Sequence, residues 1–116
     1  MGFRAQFLAS PRTFYHVTER DAAADILKNG FAGGWGDAGY GVYLYGTPYS
    51  AEEYAARGGW DGELKDPVAI EVKGDDIRKV PILDPSWDPH DYEDMYMHPM
   101  GESDDERWKP RMRIIG

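Results

Sequence analysis

The chain has 116 residues, of which 41% are apolar and 29% are charged, and this balance predicts one globular domain, residues 1–116, with a modest core. Cysteine is absent, which excludes disulfides and thiolate chemistry, and the net charge of -8 disfavours non-specific binding to duplex nucleic acid. No apolar run approaches the ~20 residues of a membrane-spanning helix, so we expect a soluble, cytoplasmic protein without membrane attachment.

The first strand–helix unit follows a lead-in over residues 1–12. The β-prone run "TFYHV" (Thr13–Val17) predicts a strand. Thr18 is the predicted N-cap of a helix over about residues 19–29, because its hydroxyl can accept from an exposed amide of the first turn. Gly30 follows as the predicted helix stop.

The second unit repeats this plan with more glycine. Five glycines in Phe31–Gly41 predict a loop, and "VYLY" (Val42–Tyr45) predicts the second strand. Ser50 and Glu53 have the S-x-x-E spacing of a capping box, which predicts a short helix that ends at Gly58–Gly59.

The remaining chain predicts three more strands around an acidic segment. Pro67–Val72 alternates apolar and other residues, and Val80–Leu83 and Arg111–Ile115 are short β-prone runs. Residues 84–106 carry many acids, and we predict a long loop with one helical turn there. The order of elements predicts an α+β domain in which a small mixed or antiparallel sheet packs with two short helices.

One histidine and several tyrosines stand at corresponding places in the two strand–helix units. His16 lies in the first strand, Tyr43 at the centre of the second, and Tyr54 on the following helix. On pattern alone, each is compatible with an ordinary half-buried structural position.

Taken together, these motifs resemble the ADP-ribosyltransferase fold, in the histidine–tyrosine–glutamate branch that includes poly-ADP-ribose polymerases and small bacterial and phage mono-ADP-ribosyltransferases. "YHVT" is similar to the first-strand histidine motif, "AAADILKNGF" to the following helix, "GYGVYL" to the G-x-G-x-Y strand and "SAEEYA" to the next helix. The resemblance covers about residues 13–60. It implies a split sheet and an NAD-dependent mono-ADP-ribosyltransferase, with NAD as substrate.

The resemblance also implies roles for individual residues. His16 would hydrogen-bond the adenosine ribose, the backbone at Val17 would hold the nicotinamide carboxamide, and Tyr43 and Tyr54 would sandwich the nicotinamide ring. The other residues that it implies in NAD binding are Thr18, Gly41 and Ser50. Trp35, in the glycine-rich loop, would cover the adenine or contact a partner, and the alternative is a connection without a ligand role.

Catalysis by such a site needs a carboxylate near the ribose, because the transition state is oxocarbenium-like. The family places a glutamate at or just before a late strand. Glu106 is therefore the first candidate and Glu102 the second, both ahead of the last strand. The alternative is that both belong to a solvated acidic loop.

Two other functions remain open on the sequence. A transferase-like domain without chemistry could act as an acidic binding or inhibitor module. An RNA 2′-phosphotransferase shares the fold, but the arginines here are scattered along the chain. The acidic balance favours a protein acceptor over a nucleic acid. His90 and His98 with nearby acids match no zinc or calcium spacing, so we predict no metal site.

Overall fold

The computed structural model describes residues 12–81, 86, 94–103 and 106–115. Within these ranges, the chain forms seven strands and two helices. In chain order they are β1 (Thr13–Glu19), α1 (Arg20–Asn29), β2 (Gly34–Gly36), β3 (Gly39–Tyr45), α2 (Pro48–Ala56), β4 (Pro67–Lys73), β5 (Arg78–Lys79), β6 (Met95–Pro99) and β7 (Arg111–Ile114). The protein is a small α+β domain, as predicted.

The strands form one sheet in the order β5-β6-β3-β1-β4-β7, and β2 pairs with β3 as a hairpin. All of these pairings are antiparallel, so the mixed alternative is not what this part of the chain adopts. The two longest ladders are β1 with β4 and β3 with β6. This arrangement places β1 and β3, the strands of the predicted site, at the centre of the sheet.

The two helices pack on opposite faces of the sheet. Phe14 and Val72 are direct partners and therefore share a face, where they join Ala23 of α1 in the main core cluster. On the opposite face, Tyr45 of β3 contacts Tyr54 of α2, with their ring centroids 5.4 Å apart. The second face, under α2, thus carries the ring contact between Tyr45 and Tyr54.

The alternation predicted for β4 is confirmed. Val68, Ile70 and Val72 are at most 1% exposed. Gly30 ends α1 with a φ of 88°, a left-handed value that favours glycine. A side chain there would also meet the backbone oxygen of Trp108 at 3.0 Å.

Both predicted helix caps are wrong. Thr18 stays in the β1 ladder opposite Val68, and Glu19 occupies the N-cap position without a side-chain cap hydrogen bond. At α2, the cap is Thr47, whose hydroxyl accepts from the Ser50 amide at 3.2 Å. Pro48 follows at the first helical turn, where its missing N–H costs nothing.

Two predicted loops contain strands. Within the predicted loop Phe31–Gly41, β2 and the start of β3 form a hairpin around Asp37 and Ala38, and Gly39 has a φ of 106°. Within the predicted acidic loop 84–106, β6 pairs with β3 along five residues. Met95 and Met97 are buried there with Val80 in a second core cluster.

The predicted strand Val80–Leu83 is displaced. The strand is Arg78–Lys79, and Val80 then donates its backbone N–H to the Met95 carbonyl at 3.0 Å. Residues 82–83 of that prediction and the lead-in up to residue 11 lie outside the described residues. The helical turn was predicted within residues 84–106, and the described part of that segment contains no helix. The last strand ends at Ile114, one residue before the predicted end.

Candidate functional site

The candidate site begins where β1 and β3 separate. Each strand has seven residues, all of them described, yet they pair with each other only at Tyr15 and Tyr45. By contrast, β1 pairs with β4 along all seven residues. The sheet therefore opens between β1 and β3, as a split sheet does, and the side chains beside this opening can reach a common space.

His16 lies beside this opening and is half-buried. Its Nδ1 is 2.8 Å from the backbone oxygen of Tyr43 on β3. Because a carbonyl oxygen only accepts, Nδ1 carries the proton, and Nε2 of the neutral ring is a hydrogen-bond acceptor. Burial lowers the pKa of His16, and the hydrogen bond to Tyr43 opposes this with a smaller effect. The imidazole is thus neutral at pH 7 and can accept from a hydroxyl group.

The Tyr43 side chain is fixed by the β2–β3 turn. Its hydroxyl donates to the Gly39 carbonyl at 2.6 Å and accepts from the Ala38 amide at 3.0 Å. Gly36 makes room for the ring, since a Cβ at that position would lie 2.6 Å from the Tyr43 hydroxyl oxygen. Burial is the main cause that raises the pKa of Tyr43, so the phenol remains protonated.

Tyr54 presents its ring from α2 toward the same space. Its ring centroid lies 5.4 Å from that of Tyr45 and 5.9 Å from that of Trp60. The Trp60 backbone forms a hydrogen bond that lowers the pKa of Tyr54, but burial outweighs this and raises it. The guanidinium of Arg57 lies 5.9 Å from the Tyr54 ring centroid and 5.8 Å from that of Trp60, so this aromatic pair already attracts a cation.

These residues, through side-chain or backbone atoms, line one cavity of about 100 Å³. Its lining is mostly apolar and aromatic and consists of His16, Val17, Tyr43, Leu44, Tyr45, Tyr54, Trp60 and Met95. Ligand sites for whole small molecules typically have roughly 300–1,000 Å³. The enclosed space can therefore take one ring, and the rest of a dinucleotide would have to lie outside it.

Four of the predicted NAD-binding residues, His16, Val17, Tyr43 and Tyr54, thus line the same cavity. Thr18 is not among the lining residues, and it pairs with Val68 in the β1–β4 ladder. Gly41 is buried between Gly34 and Pro99, its partners on β2 and β6. A Cβ at Gly41 would clash with the His98 carbonyl, so this glycine serves the close approach of two strands.

Ser50 and Trp35 also lie outside the cavity lining. Ser50 is in the first turn of α2, and its amide and hydroxyl both contact the Thr47 hydroxyl. Trp35 is on β2 with 69% of its surface exposed, and its ring packs edge-on against Tyr40 at 5.4 Å. The predicted role of Trp35 in covering an adenine stays a prediction.

The structure does not bring Glu102 or Glu106 into the cavity lining. Both are exposed, and the Glu106 carboxylate lies beside Gly101, where an added Cβ would be 2.9 Å from its oxygen. Among the described lining residues, none is a carboxylate. The assignment of the catalytic carboxylate to Glu106 or Glu102 therefore stays a prediction.

Several residues at the site were not predicted. Tyr45 follows Tyr43 by two positions and so shares its face of the strand, a signal that the sequence carried. Trp60 lies just after the helix stop, where no periodic pattern points to a site. Asp94 directly precedes the lining residue Met95, and its carboxylate accepts from the Thr47 hydroxyl at 2.7 Å. Asp94 and Met95 both belong to the segment that was predicted as a loop, so the sequence did not point to them.

Comparison with known protein families, curated proteins and solved structures finds no match to this chain. No helix in the described part of the chain is long and apolar enough to cross a membrane. Among the same residues, no group of three or more metal-binding side chains comes together. The cavity geometry therefore carries the functional argument.

Proposed function

We propose that this protein is an ADP-ribosyltransferase-like domain that binds NAD and transfers its ADP-ribose to an acceptor, with the nicotinamide ring in the aromatic cavity. The observation that carries the proposal is that His16, Val17, Tyr43 and Tyr54 line one cavity that has the volume of a single ring. These four residues come from three separate elements.

The chemistry of the lining suits the oxidised nicotinamide of NAD. This ring is flat and cationic until the glycosidic bond breaks, and aromatic faces attract and orient a cation. Tyr43 and Tyr54 supply such faces, and both remain neutral because burial raises their pKa values. After bond cleavage, the neutral nicotinamide loses this attraction, which favours its release.

His16 suits a polar role beside the same cavity, and its ring also packs edge-on against Phe31, with the ring centroids 5.0 Å apart. Its Nδ1–H donates to the Tyr43 carbonyl, which leaves Nε2 as an acceptor for a ribose hydroxyl. Because the same hydrogen bond fixes the ring, the acceptor is held in place before a ligand arrives. Such preorganisation reduces the entropy that binding would cost.

The transfer step requires negative charge near the ribose as positive charge develops on it. Asp94 is one of the described carboxylates close to the cavity lining in sequence, since it directly precedes the lining residue Met95. The Thr47 hydroxyl holds its carboxylate. We therefore add Asp94 to Glu102 and Glu106 as a candidate for this role.

Binding of NAD is the first test. We expect NAD to bind the wild-type protein in calorimetry, and Tyr54→Ala to weaken binding about tenfold or more, the usual loss for one stacking ring. Tyr49→Ala is the matched control, because Tyr49 is on the same helix but 68% exposed and outside the lining. Equal affinities of the two variants would contradict the proposal.

Release of nicotinamide from NAD then distinguishes transfer from binding alone. Asp94→Asn, Glu102→Gln and Glu106→Gln are compared under conditions where each variant still binds NAD. Loss of nicotinamide release in one variant identifies the carboxylate. Because no described carboxylate lines the cavity, the second candidate function is a module that binds NAD without transferring ADP-ribose. Binding with no nicotinamide release by the wild type would favour that second function.

A further inference from the structure

A second concave surface lies on the same face of the sheet, toward its edge, between β4 and the edge strand β7. This groove has a volume of about 400 Å³ and is lined by Glu71, Lys73, Arg111, Met112 and Arg113. Three of the five side chains are cationic, in a chain whose net charge is -8. The groove is therefore an exception to the charge of the whole molecule.

Two of these cations face each other without compensation. Lys73 and Arg111 are direct partners across the β4–β7 ladder, so their side chains leave the sheet on the same face. Like charges at directly opposite positions are destabilising. The fold thus keeps a repulsive pair at this place, although acids outnumber bases 21 to 13 in the sequence.

The other described arginines are engaged by the protein itself. Arg20 forms an ion pair with Asp66, Arg78 with Asp76, and Arg113 with Glu71. Arg107 donates to the Glu106 carbonyl, and Arg12 and Arg57 lie over aromatic rings. Within the described residues, no ion pair, hydrogen bond or ring contact is found for Arg111 or for Lys73. These two side chains are accordingly available to an external anion.

The backbone next to this pair is closely packed. A Cβ at Gly74, directly after Lys73, would lie 2.9 Å from the Trp108 ring and 3.0 Å from Pro110, so the end of β4 is packed against the segment that enters β7. The Trp108 ring is also stacked on His98, with their centroids 3.9 Å apart. The two cations therefore project from a closely packed part of the sheet.

We propose that this groove binds a sugar phosphate, with its phosphate group held by Lys73 and Arg111. Arginine and lysine are the usual donors to phosphate oxygens. Glu71 holds Arg113 through contacts of 3.1 and 3.3 Å and supplies oxygens that can accept from sugar hydroxyls. Among the described residues of the lining there is no aromatic ring, which favours a sugar over a base as the part next to the phosphate.

This site is separate from the aromatic cavity and does not depend on the proposed reaction with NAD. The cavity lies at the opening between β1 and β3, and the groove lies between β4 and β7, so about two strand spacings, roughly 10 Å, separate them across the sheet. The register places Glu71 beside Tyr15, and Tyr15 beside Tyr45 at the cavity. Both sites are therefore on one face.

Ribose 5-phosphate is the probe for the test, with ribose at equal concentration and chloride at equal ionic strength as references. We expect ribose 5-phosphate to bind the wild type and to raise its melting temperature. Lys73→Gln and Arg111→Gln should each weaken binding about tenfold, the usual loss for one charge-assisted contact. Lys28→Gln, at an exposed position in the last turn of α1, changes the net charge equally and should bind like the wild type.

Equal binding by Lys73→Gln, Arg111→Gln and Lys28→Gln, or no binding by the wild type at millimolar concentrations, would overturn the proposal. All three changes are at exposed positions, so the variants should fold. In the unliganded protein, we expect Lys73→Gln to leave the melting temperature unchanged or higher, because it removes a repulsion.

Two further arms identify the source of the sugar phosphate. If the natural ligand is the backbone of a polynucleotide, short single-stranded RNA should bind more tightly than ribose 5-phosphate, and added salt should weaken the RNA binding steeply. If the natural ligand is a small molecule, ribose 5-phosphate should bind more tightly than the RNA. If the groove instead held the phosphates of NAD, Lys73→Gln would weaken NAD binding as much as Tyr54→Ala does, and the separation of the two sites would be refuted.

Discussion

The Nδ1 atom of His16 lies 2.8 Å from the backbone oxygen of Tyr43, across the opening between the two central strands. In a continuous sheet, a ladder hydrogen bond would satisfy such a carbonyl. Here a side chain does so, because β1 and β3 pair only at Tyr15 and Tyr45 within these fully described strands. His16 is therefore both a connection between the halves of the sheet and a wall of the cavity.

The lowered pKa of His16 predicts a pH dependence of stability. The unfolded chain binds a proton at the ordinary histidine pKa of about 6.5, whereas the folded protein binds it only at lower pH. Stability from this group is complete above the unfolded pKa and is lost as pH falls below about 6.5. Melting temperatures between about pH 5.5 and pH 7.5 should show this loss in the wild type and a weaker dependence in His16→Asn. An identical pH profile for the two proteins would contradict the assignment.

Removal of the Tyr43 hydroxyl should separate stability from ligand binding. Tyr43→Phe deletes the hydrogen bonds to Ala38 and Gly39 and should cost about 1–2 kcal/mol of unfolding free energy, measured by urea denaturation. The ring stays, so NAD affinity should change little. Tyr40→Phe is the control, since no hydrogen bond of that hydroxyl is found among the described residues. The prediction fails if both variants are equally stable.

Gly36 should tolerate no side chain, because the Tyr43 ring occupies that space. We expect Gly36→Ala to displace the ring, to lower stability and to weaken NAD binding. Gly34→Ala on the same short strand should change stability and NAD binding very little, since an added Cβ meets nothing within 4 Å. Melting temperature and calorimetry on this pair test the packing of the hairpin on the cavity. Similar effects of the two substitutions would show that the Tyr43 ring does not set this requirement.

Thr47, rather than Ser50, should matter for the stability of α2. Thr47→Ala removes the N-cap acceptor and the donor to Asp94, and should cost about 1 kcal/mol or more. Ser50→Ala leaves the backbone cap intact and should cost less. Chemical denaturation of the two variants decides between them, and a larger loss for Ser50→Ala would restore the predicted capping box.

The elements that the sequence predicted well are those with strong local signals. Alternation in β4 and the glycine after α1 have one physical interpretation each, and the structure confirms both. Thr18 failed as a cap because two local preferences competed there, and pairing with β4 decided in favour of the strand. No local pattern could settle that competition.

The segment around β6 was mispredicted for a different reason. Met95 and Met97 alternate with Tyr96 and His98, but acidic neighbours and prolines obscured a strand whose stability comes from pairing with β3. This error hid Met95 and Asp94 from the candidate site. The predicted grouping of His16, Val17, Tyr43 and Tyr54 needed only the order of the first four elements, and the cavity brings these residues together.

At the centre of this sheet, β1 and β3 are joined by one residue pair, Tyr15 with Tyr45, and by the hydrogen bond between His16 and Tyr43. The strands on either side are each held by longer ladders, so this join has the fewest backbone pairs of the two central strands. A change at this join would alter the width of the ring-sized space beside it. A ligand that fills this space should therefore stiffen the whole domain, and hydrogen exchange at the Tyr45 amide should slow on saturation.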